Sequence, residues 1–168
     1  MQDRCTRNDH CYDPSMSEVV DDARLDPREL AAWRGLLVTH SRVIAALDEE
    51  LEREHGLPLG SYEVLLLLSD APDHSLRMGA LADGLLLSRS GLTRLIDRLA
   101  SRGLVERHSC PDDRRGTYAR LTPAGLELFE RAQPTHLRGV RERFLGHLDE
   151  RDLERLAGIW DKVGEPGT

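Results

Sequence analysis

A run of hydroxyl and arginine side chains lies on one side of residues 88–102. The other side carries apolar residues at three- and four-residue spacing, namely Leu92, Leu95, Ile96 and Leu99. This spacing predicts an amphipathic helix. Its polar face consists of short hydroxyls and long guanidiniums: Ser88, Arg89, Ser90, Thr93, Arg94 and Arg98. The N-terminal end of such a helix can hydrogen-bond to base edges in the major groove of DNA, and an arginine one turn further on can reach a phosphate. The alternative is an ordinary solvated helix face.

A second charged group lies in the segment CPDDRRG, residues 110–116. Short strand-like segments at 105–109 and 117–121 flank it, and Pro111 and Gly116 favour a turn. The pattern predicts a β-hairpin whose tip carries Asp113, Arg114 and Arg115. These side chains either contact DNA or form a flexible charged turn.

Two predicted helices stand before this hairpin. Apolar residues at helical spacing predict a short helix over 78–85, and about three residues separate it from the longer one. Ser88 is a suitable N-cap and Gly103 is the residue type expected just past a C-terminus, so the longer helix is predicted over 89–102. A short helix, a tight turn, a longer helix and a hairpin together make a winged helix-turn-helix.

The segment LADGLLLSRSGLTRLIDRLASRGLVERHSCPDDRRGTYARLTPAG resembles the winged-helix core of the multiple antibiotic resistance regulator (MarR) family. The resemblance includes the Asp-Arg-Arg wing and the Leu-Thr-Pro-Ala-Gly that opens the next helix, and with flanking helices it covers residues 25–163. One departure is Leu86, where relatives commonly carry glycine in the turn.

The resemblance implies a mainly α (α+β) fold, a winged helix-turn-helix with a small β-hairpin wing, flanked by N- and C-terminal dimerisation helices. It implies an obligate homodimer that binds a pseudopalindromic operator, usually as a repressor released by a small aromatic molecule or by cysteine oxidation. It also implies that Arg115 enters the minor groove, that Asp113 orients it through a salt bridge, and that Arg114 contacts a phosphate.

The helices outside the winged helix carry long apolar stripes. Asp26-Pro27 with Glu29 is an N-terminal capping pattern, and apolar or aromatic residues then step by three and four up to Gly56. The stripe is Leu30, Trp33, Leu37, His40, Ile44, Leu47 and Leu51. Residues 59–69 predict a buried second helix. Thr122-Pro123 opens a helix that kinks at Pro134 rather than breaking, and Asp149 caps a last helix over 150–163.

The predicted organisation is a disordered lead over 1–23, a MarR-like domain over 24–164 and a tail over 165–168. Within the domain, 24–56 and 123–164 are dimerisation helices and 59–121 is the DNA-binding region. The apolar stripes exceed what a winged helix can cover, so pairing of the first helix with the last two across a two-fold axis is predicted.

Three side chains of the first two helices predict a cleft for a phenolic or other aromatic anion: Trp33, His40 and Tyr62. His40 interrupts an apolar stripe, where it lines a cavity, acts as a pH-sensitive switch, or is an ordinary hydrogen-bonded interface histidine. Tyr62 faces a cavity or is simple core. Cys110, two residues after His108 on the same strand face, is a candidate oxidant sensor or an incidental thiol.

Composition narrows the classes of function. The formal charge is −7, yet the segment 77–120 holds nine arginines against five acids, a local +4 that leaves −11 elsewhere. The acidic total supports a rival interpretation, a winged-helix interaction module without DNA binding. Cys5, His10 and Cys11 lack a fourth ligand nearby, so no metal site is predicted. No catalytic motif, cofactor fingerprint, membrane span or signal peptide is recognisable, which predicts a cytoplasmic protein that is not an enzyme.

Overall fold

Six helices and three strands follow one another in the described part of the chain. The computed structural model describes residues 24–85, 87–110 and 113–164, and at 109, 110 and 113–116 it describes the backbone alone. The elements are α1 (Pro27–His55), α2 (Leu59–Asp70), β1 (Ser75–Arg77), α3 (Met78–Gly84), α4 (Arg89–Ser101), β2 (Val105–Cys110), β3 (Asp113–Leu121), α5 (Pro123–Arg143) and α6 (Glu150–Gly164). Single 3-10 turns lie at Pro72–His74 and Leu145–His147. This mainly helical winged-helix fold is the one predicted.

The chain forms two compact units, residues 1–38 and residues 39–168. In the first unit, the predicted capping box opens α1. The Asp26 carboxylate accepts from the Glu29 backbone N–H at 3.0 Å, and the Glu29 carboxylate accepts from the Asp26 backbone N–H at 2.7 Å. The large apolar side chains of this unit stay about half exposed: Trp33 52%, Leu36 42%, Leu37 48% and Val38 47%.

The second unit contains a three-stranded antiparallel sheet in the order β1-β3-β2. β2 and β3 form the predicted hairpin, with Val105 opposite Leu121 and an irregularity between Ser109 and Cys110. β1 was not predicted. It pairs with the other edge of β3, with Ser75 opposite Arg120, and α3 begins directly after it. The start of the helix-turn-helix is therefore fastened to the strand that also carries the hairpin.

The core of this unit lies between the sheet and helices α2, α3, α4 and α5, with the last turns of α1. Leu47 and Leu51 are the α1 residues that reach it, at 3% and 0% exposure. Polar contacts also join α1 to α5, because Arg138 and Thr135 both donate to the Glu54 carboxylate and Arg143 pairs with Glu50. As predicted, α5 continues through Pro134 as one helix.

The last helix differs from the others because none of its residues is buried. Asp149 caps it as predicted, accepting from the Asp152 backbone N–H at 2.8 Å. Large apolar side chains on α6 remain exposed, namely Leu153 39%, Ile159 47%, Trp160 43% and Val163 71%. Among the described residues, no helix is both long enough and apolar enough to cross a membrane.

Candidate nucleic-acid interface

Helix α4 begins and ends where the sequence predicts. Ser88 is extended (φ −64°, ψ 149°), and its Oγ accepts from the Gly91 backbone N–H at 3.1 Å, so it satisfies one of the free donors of the first turn. Gly103, just past the C-terminus, has φ +70°, a conformation that suits glycine. Both ends of α4 are thus fixed by local sequence.

The two faces of α4 separate completely. The four predicted apolar residues are buried, with exposures from 0% for Ile96 to 6% for Leu95. The six predicted polar residues are all exposed: Ser88, Arg89, Ser90, Thr93, Arg94 and Arg98. Core packing therefore holds one side of the helix while the other carries hydroxyls and guanidiniums into solvent.

Hydrogen bonds along α4 hold some of these polar groups and leave others free. The Thr93 hydroxyl donates to the Arg89 carbonyl at 2.8 Å, and Arg94 Nε donates to the Ser90 carbonyl at 3.4 Å. Within the described part of the chain, the guanidiniums of Arg89 and Arg98 have no hydrogen-bond or ion-pair partner. Two arginines with unused donors near the helix start and one turn from its end are suited to an anionic ligand.

A side chain of the sheet also contacts α4, and the sequence analysis did not single it out. Arg107 of β2 lies 2.8 Å from the Asp97 carboxylate and donates to the Thr93 carbonyl at 3.1 Å. Because alternate residues of a strand share a face, Arg107 lies on the same face as buried Val105. A charged residue at an inward-facing strand position was the signal that could have identified it.

A groove of about 670 Å³ lies between α3, α4 and the sheet. Arg77, Arg89 and Arg107 all line it, together with Asp83 as the one acid among its lining residues. The groove therefore carries an excess of positive charge beside the polar face of α4.

The predicted wing tip lies outside the residues whose side chains the structure describes. This holds for Asp113, Arg114 and Arg115, although the backbone of β3 starts at Asp113, opposite Cys110. Leu86, the departure in the turn before α4, also lies outside the described residues.

The environment of the candidate redox residue is described only through its neighbour. The side chain of Cys110 is not among those described. The ring of His108 shares a hydrogen bond with Ser75 Oγ at 2.9 Å and stacks on Tyr118 with centroids 5.5 Å apart. His108 thus links β2 to residues of β1 and β3.

The three residues of the predicted ligand cleft have different environments. His40 is exposed and lines an open groove of about 550 Å³ with Asp48, Glu63 and apolar residues of α1 and α2. Asp48 already accepts the Leu59 backbone N–H at 2.8 Å, and burial raises the pKa of the Glu63 carboxyl. Trp33 is half exposed in the first unit.

The placement of Tyr62 at a cleft is wrong. Its side chain is 1% exposed, and its ring stacks on His136 at 4.5 Å and lies 5.5 Å from the ring of Phe129. Burial, with a smaller effect of Asp70, raises the pKa of Tyr62 to about 12. Tyr62 is a core residue because α2 is apolar on nearly every side and packs between α1 and α5.

The described residues contain no cluster of three or more metal-ligating side chains. Cys5, His10 and Cys11 lie outside them.

Comparison with known proteins identifies relatives of the whole arrangement. A family model described as MarR family matches residues 55–116. AbsC of Streptomyces coelicolor, a MarR family transcriptional regulator, is 33% identical, with a TM-score of 0.81 over 84% of this chain and 95% of AbsC. Sco3205 of the same organism, a MarR family transcriptional regulator in complex with DNA, is also 33% identical, with a TM-score of 0.81 over 84% of this chain and 89% of Sco3205.

A curated relative agrees with these structures. The HTH-type transcriptional regulator MhqR of Bacillus subtilis is 28% identical over 77% of this chain and 89% of MhqR. These relatives are regulators and not enzymes, which agrees with the absence of any recognisable catalytic motif in the sequence.

Proposed function

This chain belongs to the MarR family of transcriptional regulators, and we propose that it represses transcription as a homodimer bound to a pseudopalindromic DNA operator. The observation that carries the proposal is the α4 surface, a capped helix with six exposed hydroxyl and arginine side chains opposite a fully buried apolar side. The solved complex of Sco3205 with DNA supports DNA as the partner.

The polar residues of α4 divide into two roles in this proposal. Ser88, Arg89, Ser90, Thr93 and Arg94 lie in the first turns and read base edges in the major groove, whereas Arg98 binds a phosphate. At the wing, Arg115 enters the neighbouring minor groove, Asp113 orients it, and Arg114 binds a phosphate. Base contacts give specificity, while phosphate contacts mainly fix the position of the protein.

Dimerisation is proposed through residues 24–56 and 123–164, leaving 59–121 as the DNA-binding region. The support is the uncovered apolar area: α6 buries no residue, and the first unit exposes Trp33 and Leu37 by about half. A second copy related by a two-fold axis would cover these side chains and present two α4 helices to half-sites about 10 bp apart.

Binding titrations of Arg94→Ala and Arg98→Ala test the assignment to DNA. The operator is first selected from a random DNA pool with purified protein. If Arg94 makes a bidentate guanine contact, its loss costs roughly 1–3 kcal/mol per half-site and relaxes preference at one symmetric pair of positions. Loss of Arg98 should weaken all sequences alike and lower the salt slope by about one per contact.

Arg151→Ala, on the exposed first turn of α6, is the control for removal of one positive charge. It should change affinity less than either α4 variant. If neither α4 variant loses affinity, α4 is not the DNA-binding surface, and the interaction-module interpretation gains support.

The second part of the proposal is release from DNA by a small aromatic effector, and the groove beside His40 supports it. Two carboxylates, Asp48 and Glu63, line that groove. Because a bound anion would meet both, a neutral phenol or another uncharged aromatic fits better than the aromatic anion that the sequence suggested.

A thermal-shift panel of phenols and aromatic acids, with and without operator DNA, tests this part. The expected result is a phenol that raises the melting temperature and weakens DNA binding in the wild type, with both effects reduced in His40→Ala. A broad panel without such a compound would contradict it. A parallel titration with peroxide compares the wild type with Cys110→Ser and decides the redox alternative.

A further inference from the structure

The contact between β2 and α4 has the geometry of a spacer. A single guanidinium nitrogen, Nη2 of Arg107, donates to the Thr93 carbonyl at 3.1 Å and pairs with the Asp97 carboxylate at 2.8 Å. Thr93 and Asp97 are one helical turn apart, so both acceptors lie on the same side of α4. The two contacts fix how far the middle of the helix stands from the strand.

The strand end of this contact is a rigid part of the molecule. Arg107 lies opposite Ala119 of β3, which is 0% exposed, and Ala119 lies opposite Leu76 of β1. Arg107 therefore stands on the row of residues that crosses all three strands. The same hairpin leads to the wing at residues 113–115.

The helix end of the contact is the turn that carries the proposed DNA contacts. Thr93 is exposed and its hydroxyl is tied to Arg89, while Arg94 follows directly. A shift of this turn would move all three side chains together relative to the wing.

We propose that Asp97 and Arg107 form a positioning pair that sets α4 against the wing and thereby decides which bases the dimer reads. The inference rests on the proposed function. Its energetic logic is that a partly exposed ion pair adds little to folding stability, and the side chains here are 35% exposed for Arg107 and 59% for Asp97. The main effect of the pair is on the selectivity of DNA binding.

The competing role for Arg107 is direct phosphate binding, since it also lines the arginine-containing groove. The two roles give opposite results when Asp97 is removed. A positioning role loses operator affinity, although the protein has lost a negative charge near DNA. A phosphate-binding role gains affinity, because the guanidinium is released from its carboxylate.

The test measures binding of Asp97→Ala, Arg107→Ala and the double variant to operator and to unrelated DNA over a salt series. The matched control is Glu106→Ala, which removes one acid from a similar exposed pair, Glu106 with Arg120 at 3.7 Å, that does not involve α4. Thermal unfolding of each variant shows that the fold is kept.

We expect Asp97→Ala to weaken operator binding about tenfold while binding to unrelated DNA and the salt slope stay unchanged. Glu106→Ala, with the same change of charge, should bind as well as the wild type or better. The double variant should lose little more than Arg107→Ala alone, because both substitutions break one contact.

The inference is overturned if Asp97→Ala binds the operator as tightly as Glu106→Ala. It is also overturned if Arg107→Ala lowers affinity for both DNAs equally and reduces the salt slope by about one. Arg94→Ala separates the two proposals: if it loses operator binding while Asp97→Ala does not, only the positioning role fails, and if neither loses binding, the proposed function fails as well.

Discussion

Ser88 combines a structural and a proposed functional role in one side chain. Its Oγ caps α4 through the Gly91 N–H, and it lies exposed at the end of the helix assigned to base reading. Aspartate is an equally good N-cap, but it brings a negative charge to a surface meant to meet phosphates. The two roles can therefore be separated by substitution.

Ser88→Ala should lower the free energy of unfolding by about 1 kcal/mol, because one N–H of the first turn loses its acceptor. Ser88→Asp should keep stability and lose DNA binding through repulsion. Urea denaturation and DNA titration of both variants check this pair of outcomes. DNA binding by Ser88→Asp at wild-type affinity would show that this end of α4 does not face DNA.

His136 makes stability depend on pH. Burial lowers its pKa below the ordinary value of 6.5, and its buried Nδ1 has no hydrogen-bond partner among the described residues. The unfolded chain therefore takes up a proton at a higher pH than the folded protein does. Stability is fully present above pH of about 6.5 and falls as the pH drops from there through the folded-state pKa.

The predicted result is a lower urea midpoint at pH 5.5 than at pH 7.5 in the wild type, and a smaller difference in His136→Phe, which keeps a ring against Tyr62. Glu63, whose pKa is raised by burial, acts in the opposite sense, but both proteins contain it. An identical pH dependence in the two proteins would contradict the assignment to His136.

At the scale of elements, the start of α5 is docked on backbone. A Cβ at Gly125 would lie 2.0 Å from the Leu104 carbonyl oxygen and 2.8 Å from Leu121 Cδ1. The same carbonyl accepts from the backbone N–H of Thr122 at 3.1 Å. The first turn of α5 therefore holds the beginning of β2 and the end of β3 together, and only glycine permits this approach.

Gly125→Ala should destabilise the protein by roughly 1–3 kcal/mol, because backbone must shift to admit the methyl group. Gly60→Ala is the control, since a Cβ at Gly60 meets nothing within 4 Å. That variant should be neutral or slightly stabilised. Urea denaturation of both proteins checks the prediction, and equal stability of the two variants would refute the close approach.

The elements that local sequence determines were predictable. α4 has a cap, a buried stripe and a terminal glycine within its own residues, and the hairpin has its turn formers between two short strands. β1 was missed because Ser75–Arg77 is too short to show a period of its own, and it becomes a strand only because β3 offers a free edge.

The parts that depend on tertiary packing were less predictable. Asp97 and Arg107 meet because the hairpin folds back on α4, which no spacing in the sequence specifies. For Tyr62 the sequence allowed either core or cavity, and packing against α5 decides for core. The groove beside His40 likewise follows from how α1 and α2 pack, whereas the sequence indicated only the unusual histidine.

At the scale of the whole molecule, α6 leads to a prediction about assembly. Trp160→Glu should convert the proposed homodimer, twice 18.9 kDa, into monomers, because it places a charge in the apolar stripe that a second copy would cover. Lys162→Glu is the control, two residues further along and about 200° around the helix. It should leave the dimer intact.

Sedimentation velocity at micromolar concentration distinguishes the two variants, and circular dichroism shows whether the dissociated chain keeps its helices. Because the proposed monomer leaves α6 uncovered, Trp160→Glu should also lose helical signal. A folded wild-type monomer of 18.9 kDa at that concentration would contradict dimerisation.

The position of β3 at the centre of the sheet has a consequence for synthesis on the ribosome. β1, the two helices of the helix-turn-helix and β2 all precede β3 along the chain, yet both other strands pair only with β3. At about 5–20 residues per second, several seconds pass between the emergence of Ser75 and that of Leu121. We expect a nascent chain that ends before β3 to have no ordered sheet, so that truncated translation products do not compete for the operator.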